Sequence, residues 1–432
     1  MSALSHWRAP ARVGAGHRIP WWLAVTLIFL GGRVASTIIL VVYASVQGEN
    51  PWTSAQPNLF DFSSMWDGRW YNIIAEGGYP NTLPYTDDGH VGESQWAFLP
   101  VYPMLVKFIM VFTGLPWAVA GVSISLVAAA GTSFILYLLV LRVTGSASQA
   151  LFTVVLFQVA PVSPLLQIAY AESLQWLLIV SILYLLVLRR FVTMIPLILV
   201  LAFTRPGALA LALTFVIYGF WRWRHRRSDS FPPGERWALV AATATAVVAS
   251  AAWVVIAGVT TGVPTAYVDT ELAWRSAYIG YVELIPLTPW LHALGWWLPA
   301  WGVPAAATAW LVPMIFAGIL ALLMAYLFAP GTRRVGIEIR AWVLSYALYL
   351  LAVFFPQSST FRLLGPLFPG LAAFAAPKHW SYRLGLVLIS LALQVVWVGW
   401  CWAIDGSDWT PPYGFARIMP SRVSGPDLRA LG

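Results

Sequence analysis

Residues 21–46 read WWLAVTLIFLGGRVASTIILVVYASV. This apolar run has the length of about twenty residues or more that an α-helix needs to cross a hydrocarbon core roughly 30 Å thick. No small-residue cleavage site follows it, so residues 20–46 are read as a retained first span and not as a removed signal peptide. Runs of similar length recur along the chain. Hydrophobic residues make up 59% of the 432 and charged residues only 10%. A soluble protein could not bury so much apolar surface and would need more charge to stay in solution. The expected class is an all-α polytopic membrane protein, multi-pass in a cell membrane and in contact with its lipids.

The net charge of +8 would suit a nucleic-acid partner, but the arginines sit at the ends of apolar runs, as in WRWRHRR at Trp221–Arg227. That is the positive-inside pattern of cytoplasmic loops, so no nucleic-acid partner is expected. With Cys401 as the single cysteine, an internal disulfide is excluded. Arg8, Arg12 and Arg18 place the N-terminus in the cytoplasm. Residues 47–113 then form an extracytoplasmic loop with interface or re-entrant helices, residues 114–403 the remaining spans, and residues 404–432 an extracytoplasmic tail. Crossings are expected near 117–141, 150–169, 172–188, 237–259, 301–328, 342–355, 363–376 and 384–403. The stretch 191–220 is broken at Pro206-Gly207 into two short helices meeting at Arg205. About eleven transmembrane helices in a single integral membrane domain result. The two halves do not echo one another, which disfavours an inverted-repeat transporter.

The densest polar segment is FDFSSMWDGRWYNIIAEGGYP at residues 60–80. A helix is expected from a Ser63 or Ser64 N-cap to the Gly77-Gly78 pair, with Asp67, Tyr71 and Ile74 on one face and Trp66, Trp70 and Ile73 beside it. One reading is an amphipathic helix on the membrane surface with Asp67 in water. The other is a short helix presenting one carboxylate to a pocket. Glu93 is either a solvated loop acid or a member of that pocket. Glu172, at the outer start of a span, is either a partner of the helix N-terminus or a site residue. A cation such as Arg205 at a helix break inside an apolar stretch is costly unless it faces a cavity or partner. Arg362 either snorkels to the interface or joins Arg205. The acidic cluster Asp87, Asp88, His90 and Glu93 lacks metal-site spacing. No HExxH, CxxC, DxD, GxSxG or Walker sequence occurs, so no metal or cofactor is expected.

The segments WDGRWYNIIAEGGYP (Trp66–Pro80), ESQWAFLPVYP (Glu93–Pro103) and PVSPLLQIAYAESL (Pro161–Leu174) resemble the signature of the PIG-V family, GPI mannosyltransferase II, in its prokaryotic branch. Ala171 stands where that pattern has Ser or Thr, and Arg205-Pro206-Gly207 lacks an asparagine of the family segment. The resemblance covers the first half of the chain well and the second half loosely. It implies an inverting glycosyltransferase of GT-C type, acting on the extracytoplasmic face with a polyprenyl-phosphate mannose donor. The acceptor would be a glycolipid, glycan or protein. The family's functional acid in the first external loop matches Asp67, the expected general base. Arg205 and Arg362 are the expected donor-phosphate ligands. Trp66, Trp70, Tyr71, Glu93, Trp96, Tyr170, Glu172 and Gln357 are the expected substrate contacts. The alternative is a transporter or flippase of a lipid-linked or small substrate.

The orientation has a direct test. In a Cys401→Ser background, Ser64→Cys should react with an impermeant maleimide added to intact cells; reaction only from the cytoplasmic side would invert the whole topology.

Overall fold

The computed structural model describes residues 19–404. Arg8, Arg12, Arg18 and the expected outer tail beyond residue 404 lie outside the described residues. In chain order the helices are α1 Trp21–Val46, α2 Leu59–Phe62, α3 Asp67–Gly77, α4 Val101–Thr113, α5 Trp117–Thr144 and α6 Ala147–Val159. Next come α7 Glu172–Val187, α8 Phe191–Ala202, α9 Ala208–Arg224, α10 Pro233–Thr261, α11 Ala266–Ile279 and α12 Pro289–Ala300. The series ends with α13 Ala305–Phe328, α14 Pro330–Arg333, α15 Gly336–Val353, α16 Thr360–Leu363, α17 Leu371–Phe374 and α18 Trp380–Cys401.

The protein is an all-α polytopic membrane protein. Among the described residues six helices, α1, α5, α10, α13, α15 and α18, are long and apolar enough to cross a bilayer. Their outward side chains are apolar, among them Val127, Val248, Val259 and Leu322, which suits lipid and not water. Inside, small residues let backbones approach closely. A Cβ on Gly121 of α5 would stand 2.9 Å from Cβ of Ala169. A Cβ on Gly365 would lie 2.2 Å from the Trp176 ring.

Several expected boundaries move. The crossing expected at 150–169 is broken, because α6 stops at Val159 and Ser163–Gln167 form a separate 3₁₀ turn. Pro161 and Pro164 supply no N–H to continue the ladder. The crossing expected at 363–376 is likewise a 3₁₀ turn, Gly365–Gly370, followed by the single turn α17. Pro366 and Pro369 cause that break. The segment between the crossings expected at 237–259 and 301–328 folds into α11 and α12. The break at Arg205 is present between α8 and α9, as the sequence indicates. α4 has 13 residues, about 20 Å of helix, and so is too short to cross.

Backbone carbonyls freed by a break inside a bilayer need internal partners. Arg33, in the middle of α1 and 6% exposed, meets that need at the end of α6. Its guanidinium donates to Gln158 O at 3.3 Å and to Ser163 O at 2.9 Å. It also donates to the side-chain oxygens of Gln158 and Gln167, both at 3.1 Å. Gln394 of α18 donates to Val159 O at 2.9 Å, and Ser36 donates to Gln394 at 3.0 Å. The unwound segment from Ala160 to Ala171 is thereby fastened to both terminal helices.

The basic clusters gather at one end of the bundle. Arg189 pairs with Asp229 at 2.6 Å, and the buried Arg222 pairs with Glu235 at 3.0 Å. Glu338, in the first turn of α15, faces both arginines, and Arg383 donates to Ser148 at 3.1 Å. The WRWRHRR segment is accordingly folded back on α10, with Arg222 bonded to Ser230 O at 2.7 Å.

Arg33→Met keeps an unbranched apolar stem and removes the donors. Each orphaned carbonyl should cost on the order of 1–3 kcal/mol, read as a lower thermal midpoint in detergent. Arg33→Lys should recover only part of the loss, and a midpoint unchanged in Arg33→Met would refute the capping role.

Candidate active site

α7 begins at Glu172 and ends beside Arg189, 16 residues or about 24 Å away. The end opposite the basic cluster is therefore the end at Glu172, and a chain of four charges forms there. Asp67 Oδ2 accepts from Arg362 Nη1 at 2.5 Å. Arg362 Nε lies 3.4 Å from Glu172 Oε1, and Arg205 Nη1 lies 3.0 Å from the same oxygen. Arg205 Nη1 also donates to the Tyr71 hydroxyl at 3.3 Å. Glu172 is 1% exposed and neither of its oxygens has a hydrogen-bond partner, so the two arginines hold it by charge. Burial works against the charge of Arg362, but Asp67 and Glu172 outweigh it and keep the guanidinium protonated well above its ordinary range. Arg205 Nε and Nη2 and Arg362 Nη2 make no hydrogen bond among the described residues.

Each charge is set by local structure. The helix expected from Ser63 starts only at Asp67. Trp66, just before it, has φ 57 and ψ −121, a conformation costing a non-glycine residue about 1–3 kcal/mol. Neighbours hold it there. The Trp66 indole donates to Trp402 O at 2.8 Å, and its ring packs on Trp52 at 4.5 Å. The Tyr170 hydroxyl accepts from the Asp67 N–H at 2.9 Å and donates to Met65 O at 3.3 Å. The Ser63 carbonyl, expected within the helix entry, is taken by the Ala169 N–H at 2.9 Å. Glu172 lies in the first turn of α7, where the helix dipole favours an acid. Arg205 occupies the turn between α8 and α9, which Gly207 closes with φ 133, a value that glycine adopts without strain. Gln175 donates to Pro206 O at 3.3 Å and spares that freed carbonyl. Arg362 rides on α16, whose entry is fixed by the Gln357 N–H donating to Thr360 Oγ1 at 2.9 Å.

Of the residues singled out in the sequence, Asp67, Tyr71, Tyr170, Glu172, Arg205 and Arg362 come together directly. Arg362 stands 5.1 Å over the Tyr170 ring. Asp67 keeps 19% of its side chain exposed, between the wet and the sealed readings. Glu93 is solvent-accessible, yet crowding by protein, with the negative charge of Asp67 as the lesser cause, pushes its carboxyl up to about 7. Trp70 stacks on Phe98 at 5.8 Å. Trp96 is placed otherwise. It is 1% exposed, packed between Tyr79 and Trp253 at 4.8 and 5.2 Å, and leaves no open face for a sugar. Tyr71 is also buried and offers its hydroxyl, not its ring. Gln357 opens the turn that carries Arg362.

One residue was not singled out. Glu271 of α11 faces Arg205 and Asp67, and burial, as the largest cause, pushes its carboxyl up to about 7. The sequence held no local signal for it, since Glu271 lies off the buried face that Ala266, Thr270 and Ala273 give α11. Among the described residues no group of three or more His, Cys, Asp or Glu could hold a metal.

The fold and site together define a polytopic helical membrane protein with a polar, charge-paired recess at one end. No family model matches the chain, and no curated protein is similar to it in sequence. Solved structures are similar in shape. ArnT from Cupriavidus metallidurans bound to undecaprenyl phosphate has 14% identity and a TM-score of 0.47, over 84% of this chain and 62% of that one. The Archaeoglobus fulgidus oligosaccharyltransferase in complex with Zn and sulfate has 13% identity and a TM-score of 0.44, over 86% and 53%. The archaeal oligosaccharyltransferase AglB from the same organism, in complex with an inhibitory peptide and a dolichol-phosphate, has 12% identity and a TM-score of 0.40, over 88% and 56%. The chain thus spans less than two thirds of the length of these proteins.

The charge chain behaves as a unit if the pairs are coupled. Arg362→Met strands Asp67 and Glu172 with one cation, a loss on the order of 3 kcal/mol for a largely buried pair. The double variant Asp67→Asn/Arg362→Met restores the balance between Glu172 and Arg205 and should unfold at a higher temperature than the single one. A double variant whose loss equals the sum of the losses in Asp67→Asn and Arg362→Met would show that the two sites act independently.

Proposed function

We propose that the chain is a GT-C type membrane glycosyltransferase. It transfers mannose from a polyprenyl-phosphate donor to a lipid, glycan or protein acceptor on the extracytoplasmic face, with inversion. The observation that carries this reading is the pair of arginines with unspent N–H donors beside a partly exposed carboxylate, at the end of the bundle away from the basic cluster. Mannose and the polyprenyl carrier come from the likeness of Trp66–Pro80 and Glu93–Pro103 to the PIG-V signature.

The chemistry suits these groups. In an inverting transfer the acceptor oxygen attacks the anomeric carbon, the bond from that carbon to the phosphate oxygen breaks, and the hydroxyl proton must go to a base. The lipid phosphate leaves with one more negative charge. The free Nη2 groups of Arg205 and Arg362 would take that charge through bidentate, charge-assisted hydrogen bonds. In the absence of donor, Arg362 is spent on Asp67. A phosphate that draws Arg362 to itself releases a carboxylate oxygen to receive the acceptor proton, so the base is freed by the arrival of the donor.

Asp67→Asn, which keeps shape and loses the proton-accepting oxygen, should abolish transfer from polyprenyl-phosphate mannose in isolated membranes at unchanged protein level; near-normal turnover would remove Asp67 as base. Arg205→Ala should raise the donor KM, and an unaltered KM and rate would clear it of phosphate binding. Glycan and lipid profiling of a deletion strain identifies the acceptor from the mannosylated species that disappears.

A further inference from the structure

The mechanism above uses Asp67, Arg205 and Arg362 and leaves the wall made by α11 without a role. That helix is docked on the first external loop. Ser94 Oγ and Thr270 Oγ1 lie 3.2 Å apart. The Trp274 ring meets Trp70 edge-on at 5.6 Å and Phe98 at 5.8 Å. Trp253, near the end of α10, donates to Trp96 O at 3.0 Å. The loop that carries Asp67 and the helix that carries Glu271 are therefore one packed body.

On this wall one polar group, the Trp274 indole N–H, is unpaired among the described residues, and one carboxyl, Glu271, lacks an ion pair. Among the described residues Glu271 has no ion pair within 4.0 Å, unlike Asp67 and Glu172. The charged and titratable groups that face it are Arg205, Asp67, Arg275 one turn on, Tyr267 one turn back, and Tyr349 of α15. The Tyr267 hydroxyl is in hydrogen-bonding reach. The indole N–H of Trp274 is buried and has no partner. Glu271 and Trp274 are three apart on a helix, so they share a face with Cβ atoms about 5–6 Å apart. A hydrogen-bond acceptor and a hydrogen-bond donor thus lie side by side, next to the carboxylate assigned as base. Leaving the buried Trp274 N–H unpaired is costly, a cost that an oxygen-bearing ligand would offset.

We infer that α11 is the acceptor-binding wall of this recess, with Glu271 accepting a hydrogen bond from an acceptor hydroxyl and Trp274 donating one to an acceptor oxygen. The inference rests on the glycosyltransferase reading and assigns its acceptor side. Glu271 is a binding residue here, and the proton of the attacking hydroxyl still goes to Asp67. A lone alcohol would engage only one of the two groups. A neighbouring pair of oxygens, as on a sugar ring, engages both.

The experiment uses the purified full-length protein, labelled polyprenyl-phosphate mannose, and membranes from a deletion strain as the source of unmodified acceptor. Glu271→Gln should raise the amount of acceptor membrane needed for half-maximal rate about tenfold or more. The donor KM should stay within about twofold, and excess acceptor membrane should restore the rate. Trp274→Phe should shift the acceptor requirement in the same direction. An acceptor requirement unchanged in Glu271→Gln, or a loss that falls on donor KM equally, overturns the assignment. If Glu271→Gln does not fold, the wild type decides. Its acceptor requirement should climb as pH falls through about 7 while donor KM stays level, because a protonated carboxyl accepts poorly. The same climb should persist in Glu93→Gln, which removes the other carboxyl titrating in that range; a flat profile overturns the assignment. A wild type that transfers nothing brings down the glycosyltransferase reading itself, an outcome distinct from normal transfer by Glu271→Gln.

Discussion

Everything at the recess turns on one buried carboxylate, Glu172, and the two arginines that neutralise it. A carboxyl group with 1% exposure and no hydrogen-bond partner is costly in an apolar setting unless opposite charge stands beside it. Arg205 and Arg362 supply that charge from segments far apart in the chain, and Arg362 passes it on to Asp67. The arrangement ties α3, α7, the α8–α9 turn and α16 to one another. It also keeps two guanidinium groups at the recess, with N–H groups left over for an incoming anion. Stability of this end of the bundle and its supply of unpaired N–H donors thus have one origin.

Around that core the irregular backbone is what gives the site its shape. A continuous crossing at 150–169 would have carried Tyr170 and Glu172 along a regular helix. Instead the chain unwinds after Val159, and the side chains of Arg33 and Gln394 satisfy its carbonyls. The freed segment then turns so that Ala169 bonds Ser63 and Tyr170 bridges Met65 and Asp67. The break at Arg205 follows the same physics, with Gln175 on the carbonyl of Pro206. Non-helical backbone within a membrane is tolerated where protein groups replace water, and here each such place adjoins the recess.

The long spans were legible because hydropathy over about twenty residues reports lipid exposure directly. α1, α5, α10 and α13 lie close to where the apolar runs place them. The breaks after Val159 and at Gly365–Gly370 were harder to read, since their prolines sit in stretches that remain apolar. What decides such places is the supply of donors from other helices, and Arg33 lies 125 residues before Gln158. Arg205 stood out as a charge that apolar surroundings make costly, while Asp67, Glu172 and Arg362 each kept a surface or helix-end reading beside the site reading. Their pairing did not stand out, because partners 295 residues apart leave no local pattern. Nor does any residue near Trp66 announce a left-handed turn, so the helix start was placed too early. Glu271 was passed over for a related reason: a loop acid and a helix acid look alike until the helix is docked.

The bond from the Trp66 indole to Trp402 O, together with that from the Trp402 indole to Phe62 O at 2.9 Å, sets an order of events during synthesis. Trp66 leaves the ribosome 336 residues ahead of Trp402, which follows α18. Until α18 is inserted, the strained turn before Asp67 lacks the carbonyl that holds it. A chain stalled within α18 would already present the five earlier long helices among the described residues to the membrane. It would be an intact-looking body without a formed centre, and completion of α18 is the step that turns one into the other.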